Sequence, residues 1–438
     1  MLLSKKTFLI FIICLGFITS ISVANAQSFE DALRPFWYFR SFGASSFALT
    51  NNNTAISKDI SSISANPANL GIIQRPSAFL SFQYGLFSQN GKLENNPNYI
   101  TDGNNYFRYD GFGFVYPVPV YQGSLVFALS YAPTAHYNYI LKTDGFINRD
   151  SVSLSHYINE AGIMNSLQFG TSVEFKKNLF LGFSANFYHG YRNYKYTGTD
   201  IDTEDIYTYS NYVRNETIKP NYTGWNINTG ILYRLPYLKF GLRISSPLKL
   251  NVHEKSKIDS TTTFDNLHEL YGFKQYDLTY KTTFPIEIST SIALTLYDMT
   301  IAFDFATRDW GNINFKSNLY TDTTFAEKID PGINNDIRLN LKTTTDWGIG
   351  LIIPVWNTLS VQLGYRIVPR PYYNLPDNEK YTSLMGFGIE GIIEDQIVMG
   401  ISYQISMGRQ TIENTYFNTY TTQQLQDHQL TVSTSLLF

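Results

Sequence analysis

Six histidines, at positions 136, 156, 189, 253, 268 and 428, are the ready bases of this 438-residue chain. Hydrolysis would need one of them beside a nucleophile and an orienting acid. None stands in a recognisable nucleophile–base signature. The H-E-x-x-H spacing that seats a zinc ion on a helix is absent. So is the GxxxxGK[ST] loop that cradles a phosphate, and nothing points to a nucleotide-driven step. The single thiol is Cys14. The sequence therefore offers no catalytic residue, no cofactor site and no metal site. What it does offer is a sparse set of charges set among apolar residues: Glu174, Arg243, Glu287, Asp304, Asp346, Arg366 and Glu390. Both signs are present, so they read as bracing pairs along a hydrated path rather than as a filter for one ion.

The elements that carry these charges share one rhythm. In the stretch from Leu167 to Phe175, Leu167, Phe169, Thr171, Val173 and Phe175 face one way, while Gln168, Gly170, Ser172 and Glu174 face the other. The stretches from Leu238 to Ile244, from Ile286 to Leu296 and from Gln396 to Ser406 alternate in the same way. Period two is the mark of a strand with one oily and one wet face. Fourteen such runs follow one another, at about 76–90, 108–118, 122–133, 163–176, 179–192, 219–234, 237–252, 278–296, 298–310, 338–353, 357–368, 382–392, 395–407 and 427–438.

Their connections alternate as well. Those at 119–121, 177–178, 235–236, 297, 354–356 and 393–394 are tight. Those at 91–107, 134–162, 193–218, 253–277, 311–337, 369–381 and 408–426 are long and polar. An even strand number with short turns on one side and long loops on the other is the pattern of an outer-membrane barrel. Many runs also exceed the five or six residues of an ordinary globular strand and reach the length a tilted spanning strand needs. The predicted fold is thus all-β, a fourteen-stranded antiparallel transmembrane β-barrel. Closing it requires the last strand to pair with the first.

Composition agrees. Aromatics are 16% of the chain, with 33 Tyr and 32 Phe, and charged residues only 16%. Tyr and Trp favour membrane–water boundaries, and few charges remain to solvate a free surface. Residues 1–26 read as a secretory signal peptide: Lys5 and Lys6, an apolar run from Phe8 to Ile18, then Ala24-Asn25-Ala26. Without it, 31 basic residues face 36 acidic ones, and no basic patch points to nucleic acid. After the leader no run of eighteen apolar residues could form a membrane helix. The expected domains are 1–26 signal peptide, 27–75 N-terminal hatch or plug, and 76–438 barrel.

Residues 28–75 break the rhythm. They hold Phe36, Trp37, Tyr38, Phe39, Phe42 and Phe47, then a helix-like spacing of Ile56, Ile60 and Ile63. A fourteen-stranded barrel leaves a hole, and a compact apolar segment ahead of its first strand is a natural stopper. Asn66-Pro67 predicts a rigid turn with the asparagine capping backbone groups.

The segments Ala55-Ile56-Ser57-Lys58-Asp59 and Ser64-Ala65-Asn66-Pro67-Ala68-Asn69-Leu70 resemble the hatch signature of the long-chain fatty-acid outer-membrane transporter family, the FadL/TodX-like proteins. The likeness continues through Phe284-Pro285, Asp304 to Trp310, Leu363-Gly364-Tyr365, Pro371, Pro376-Asp377, Gly386-Phe387-Gly388, Ile401-Ser402-Tyr403 and His428-Gln429-Leu430. Ser57-Lys58 departs from it. The terminal Phe438 also resembles the end signature of bacterial outer-membrane proteins.

The resemblance implies a hatch in the lumen, with the hatch motif at Asn66, Pro67, Ala68 and Leu70. It implies passive uptake of hydrophobic compounds, fatty acids or hydrocarbons, from outside a Gram-negative cell. Cargo would pass an inner pocket and leave sideways into outer-membrane lipid through a kink in the third strand. Phe36, Trp37, Phe39, Phe42 and Phe47 are candidate pocket residues, or else pack the plug on the wall. Arg34, Arg40 or Arg366 could meet a carboxylate head. Tyr131 and Pro133 are the candidate kink, or else Pro133 only opens the 134–162 loop. A rival role on the same fold is partnership with a protein secretion system of the type IX kind. An enzyme and a plug-free porin are weaker rivals.

Overall fold

The computed structural model describes residues 41–93, 100–147, 151–317, 323–414 and 419–438. Fourteen antiparallel strands close into a barrel. They are β1 (Ser77–Leu93), β2 (Ile100–Val118), β3 (Leu125–His136, then Tyr139–Ile147), β4 (Val152–Lys176), β5 (Leu179–Asp202) and β6 (Tyr209–Arg234). There follow β7 (Leu238–Ser245, Leu248–Phe264), β8 (Glu269–Phe284, Glu287–Leu296), β9 (Met299–Asp309, Asn314–Ser317) and β10 (Thr343–Trp356). The set ends with β11 (Leu359–Pro369), β12 (Tyr381–Ile393), β13 (Ile397–Asn414) and β14 (Thr419–Leu437). Each run read from the sequence overlaps one of these strands. Closure is made by β1 against β14, from Ser77↔Leu437 to Leu93↔Thr421. The Phe438 N–H adds a bond to the Pro76 carbonyl at 2.9 Å. No edge is left between first and last strand, which a bilayer demands because it offers no water to an unpaired backbone.

The alternation sorts the wall. On β1, Phe79, Ser81, Gln83 and Phe87 are buried inward, while Leu80, Phe82, Tyr84 and Leu86 are exposed on the outside. That outer band is where lipid chains replace water.

Several expectations need correction. The long polar connections are mostly not loops. Strands β5 and β6 run for 24 and 26 residues and pair far beyond the membrane, against the roughly ten needed to span it. Above the lipid both faces of a strand are wet, so period two fades and the sequence there looks like loop. Two histidines from stretches read as loops consequently lie inside strands, 156 in β4 and 253 in β7. The reading of 311–337 as loop and 338 as a strand start is also replaced. A helix, Thr323–Asn340, occupies that ground, and β10 begins at Thr343. Ile333, Ile337 and Leu341, one turn apart, bury themselves against Tyr280, Phe284 and Phe315 of the inner wall. Pro331-Gly332 within the helix conceals its period from the sequence.

Residues 41–76 form no continuous helix. They make a turn of helix, Ala44–Ala48, a second at Ser62–Ala65, and a 3-10 stretch, Pro67–Ile72. Ile56, Ile60 and Ile63 are all buried, but against the wall and across successive turns rather than along one helical stripe.

Candidate functional site

The segment 41–76 meets strands around the whole barrel, and it meets them in order. Ala44 lies against Gly400 of β13, Ala48 against Gly388 of β12, Leu49 against Gly364 of β11 and Asn52 against Gly350 of β10. Thr54 reaches β9, its N–H donating to Asp304 Oδ2 at 2.9 Å, and its carbonyl touches Gly241 of β7. The Pro67–Ala68 peptide presses on Gly182 of β5. A side chain at Gly364, Gly241 or Gly182 would collide with the plug backbone, and one at Gly388 with the Ala48 methyl, so glycine allows the close approach there.

Asparagines do the fastening. Asn66 Nδ2 donates to the Thr54 carbonyl at 2.9 Å and to the Ile231 carbonyl of β6 at 3.1 Å. Its Oδ1 accepts from the Ala68 N–H at 3.1 Å. Pro67 occupies the first position of the turn that follows, where a missing N–H costs nothing. Asn52 Nδ2 donates to the carbonyls of Ile349 and Tyr365 at 3.1 and 3.0 Å. Ala68 and Leu70 of the hatch motif are fully buried. Elsewhere in the plug, Asp59 accepts from the Ser61 N–H at 2.9 Å, and burial raises its carboxyl above the ordinary value.

Above this floor lies a chamber of about 310 Å³. Asn51, Asn53, Thr54 and Ser64 of the plug form its base, and Tyr188, Leu248 and Phe284 one apolar side. The same strands and their neighbours also carry charges into it. Glu287 bridges Arg243 and Arg308, and Arg366 Nη2 meets Asp346 Oδ2 at 2.7 Å. Arg366 Nη1 also donates to the Asn51 carbonyl at 2.9 Å, and Arg243 Nη1 to the Ser64 carbonyl at 2.7 Å. These pairs tie β7 to β8, β9 to β8 and β11 to β10, and they hold the plug from above. Arg308 was not singled out in the sequence, although it shares the inward parity of Asp304 on β9.

A second pocket, about 220 Å³, opens outward from the chamber and shares Trp310, Pro369 and Ser406 with it. Phe87, Tyr106, Tyr372 and Leu425 give it an apolar lining; Arg108, Arg370 and Arg409 give it cations. Its other border is His136 and Asn138, on the bend of β3.

That bend interrupts the wall. Strands β2 and β3 pair only from Val118↔Leu125 to Phe112↔Tyr131, seven positions. At about 3.3 Å each and a tilt near 40° these rise about 18 Å, short of a band about 25 Å tall. Outward of Phe112, β2 pairs with β1 alone among the described residues. β3 meanwhile turns inward. Its register against β4 slips between Pro133 and Ala135. Its outer piece crosses the inner face of β1, where Tyr139 packs on Phe87 and its Oη donates to Gln423 Oε1 at 2.7 Å. Tyr131 thus ends the β2–β3 ladder, and Pro133 sits at the slip rather than at the start of a loop.

Phe42 packs on this interruption from within. It is buried against Gly111 of β2 and Ala132 of β3, edge-on to Phe79 at 5.8 Å. Phe47 is likewise packed between plug and wall, and neither ring lines the two cavities. Phe36, Trp37, Phe39, Arg34 and Arg40 lie outside the described residues.

One adjacency resembles a catalytic pair, Ser155-His156. On a strand the two point to opposite faces. Ser155 donates to Asp144 at 2.7 Å, while His156 meets Asp200 at 2.8 Å.

No protein-family model matches the sequence, and no curated protein does. Solved structures match throughout. The Pseudomonas putida toluene transporter TodX superposes with a TM-score of 0.61 at 14% identity, over 91% of this chain and 99% of its own. A Pseudomonas aeruginosa FadL homologue gives 0.60 at 11% identity over the same shares. The Ralstonia pickettii toluene transporter TbuX gives 0.57 at 13%, again over 91% and 99%. At such identities the likeness is one of fold: this chain has the barrel fold of the FadL/TodX-like structures.

Proposed function

We propose that the protein is an outer-membrane channel for passive uptake of hydrophobic compounds, with lateral release into the bilayer. Support comes from the neighbours, described as toluene transporters and a FadL homologue, and above all from the unzipped stretch between β2 and β3. Cargo enters the outer pocket, moves to the chamber above the plug, and leaves past Phe42 through the seam. The wet chamber suits a passing molecule that keeps a polar end hydrated, while the apolar side receives its hydrocarbon. Each CH₂ that moves from water to lipid gains about 0.8 kcal/mol, enough to drive transfer downhill. The Asn-clamped plug closes the periplasmic end, which distinguishes this path from an open porin.

The test blocks the seam. Ala132→Trp, with Ala132→Leu as the milder variant, fills its base. In vesicles carrying the reconstituted protein, transfer of a fluorescent fatty acid into lipid should fall at least roughly ten-fold, with no rise in ion conductance. Native transfer by both folded variants overturns the lateral route.

A second reading rests on the ribbon of β7 and β8, which projects beyond the band. Leu267, Tyr271 and Phe273 there are 82%, 71% and 61% exposed. Such rings suit a protein partner, as in a secretion assembly. Co-purification of a translocon through this ribbon, lost in Tyr271→Ser/Phe273→Ser, supports it; unchanged co-purification or none removes it.

A further inference from the structure

Phe42, on the inside of the seam, has an outer counterpart. Tyr109 stands on the membrane face of β2, immediately outward of the last residues that pair with β3. Its ring stacks on that of Tyr131, centroids 6.1 Å apart and planes 19° from parallel. Its hydroxyl reaches over β3 and donates to Asn165 Oδ1 of β4 at 2.5 Å. Asn165 is the ladder partner of Pro133, the residue at the slip. Tyr109 thereby roofs the dent left where β3 dives inward. Tyr131 is held from the far side, its Oη 2.8 Å from His189 Nε2 of β5 and its ring stacked on the imidazole at 5.5 Å.

We propose that Tyr109 and Asn165 form a latch that holds the lateral exit shut from the membrane side, and that cargo leaves only when this hydrogen bond breaks. The inference rests on the lateral route proposed above and adds its gate. Three features carry it. The bond joins two strands that share no ladder bonds. It crosses the wall where the β2–β3 ladder has stopped. It lies on the outward face of the wall, at the outer edge of the apolar band, and is only part-buried. A single neutral hydrogen bond is the right strength for a gate, firm when idle and yielding to thermal motion. Tyr109 is a positioning residue here; it sets whether the seam is open and touches cargo only in passing.

The experiment compares transfer of a fluorescent fatty acid from the outer solution into vesicle lipid. Tyr109→Phe keeps the ring and removes the donor; Asn165→Ala removes the acceptor. Each should raise the transfer rate, by roughly five-fold for one lost hydrogen bond, and the double variant should gain no more than either single, because one interaction has been removed. The transfer rate is the deciding readout, since loss of a merely structural contact would lower the melting temperature and leave transfer unchanged. In the opposite direction, Tyr109→Cys/Asn165→Cys bridged by a short, reducible bis-methanethiosulfonate should stop transfer, and reductant should restore it. Background labelling is confined to Cys14, in the leader. Unchanged or slower transfer in both single variants, or undiminished transfer through the bridged protein, overturns the latch. If Ala132→Trp blocks transfer while the latch variants do nothing, the exit stands and only the gate is lost. If Ala132→Trp also does nothing, the exit itself is wrong.

Discussion

The plug collar and the β2–β3 seam lie within the same barrel and are built in opposite ways. At the collar the backbone of residues 44–68 touches the backbone of the wall, and asparagine amides bond carbonyls on both sides. At the seam the β2–β3 ladder is absent, and the contacts that span it are few: the Phe42 ring inside, and the Tyr109 ring and hydroxyl outside. Many bonds shared along a contour must break together; one side chain can swing alone. The difference teaches which part of the molecule is a fixture and which part is able to move.

The largest expected effect is at the collar. Gly182→Val places a branched side chain in the Pro67–Ala68 peptide. The plug cannot seat, and the protein should either lose its heat-resistant folded band on gels or conduct ions freely in planar bilayers. Native behaviour in both assays would show the collar to be soft. Arg366→Gln comes next. It leaves Asp346 facing the chamber without its partner and frees the Asn51 carbonyl, a loss of about 3 kcal/mol by analogy with broken buried pairs. Chemical denaturation measures it, and a selective loss of fatty-acid binding at unchanged stability would instead make Arg366 a ligand residue. Asn66→Ala strands the Thr54 and Ile231 carbonyls, worth about 2 kcal/mol. Hydrogen exchange across residues 54–70 should quicken, while the seam stays as it was.

Phe42→Ala sharpens the other side of the comparison. Exchange should quicken at 109–112 and 131–135 with the collar unaffected, and transfer should rise. Spread of the change to residues 48–68 would mean that the two regions are coupled. The smallest effect is at Asp59. Its raised folded value means the native state binds the proton more strongly than the unfolded chain does. Its contribution to stability is therefore best at low pH and is lost as pH rises from the ordinary carboxylate range through the folded value. Asp59→Asn should flatten that dependence and raise the melting temperature slightly at neutral pH; a steeper dependence would reverse the assignment.

Much of this was legible in the residues. Leu167 to Phe175 alternates because lipid lies on one side of it and water on the other. Asn66-Pro67 announces a capped turn because an amide and a locked φ leave few alternatives. Arg366, by contrast, looks like a candidate for a ligand's carboxylate until Asp346, two strand positions from its ladder partner Gly348, is seen to hold it. For Phe42 and Phe47 the sequence leaves pocket lining and plug packing both open, and their burial beside the wall glycines favours packing. The helix 323–340 was unreadable because Pro331-Gly332 breaks its period, and the outer halves of β4 to β8 because their surroundings above the membrane impose no single oily face.

By itself the sequence determined the barrel, its fourteen strands and the presence of something to fill it, because period two and strand length respond to solvent one residue at a time. Only the tertiary structure decided where the wall comes apart and what closes it. Tyr109 and Asn165 are 56 residues apart, and no local pattern records that a strand between them bends inward. A seam is a bond not made, and a missing bond has no signature until the partners on both sides are in place.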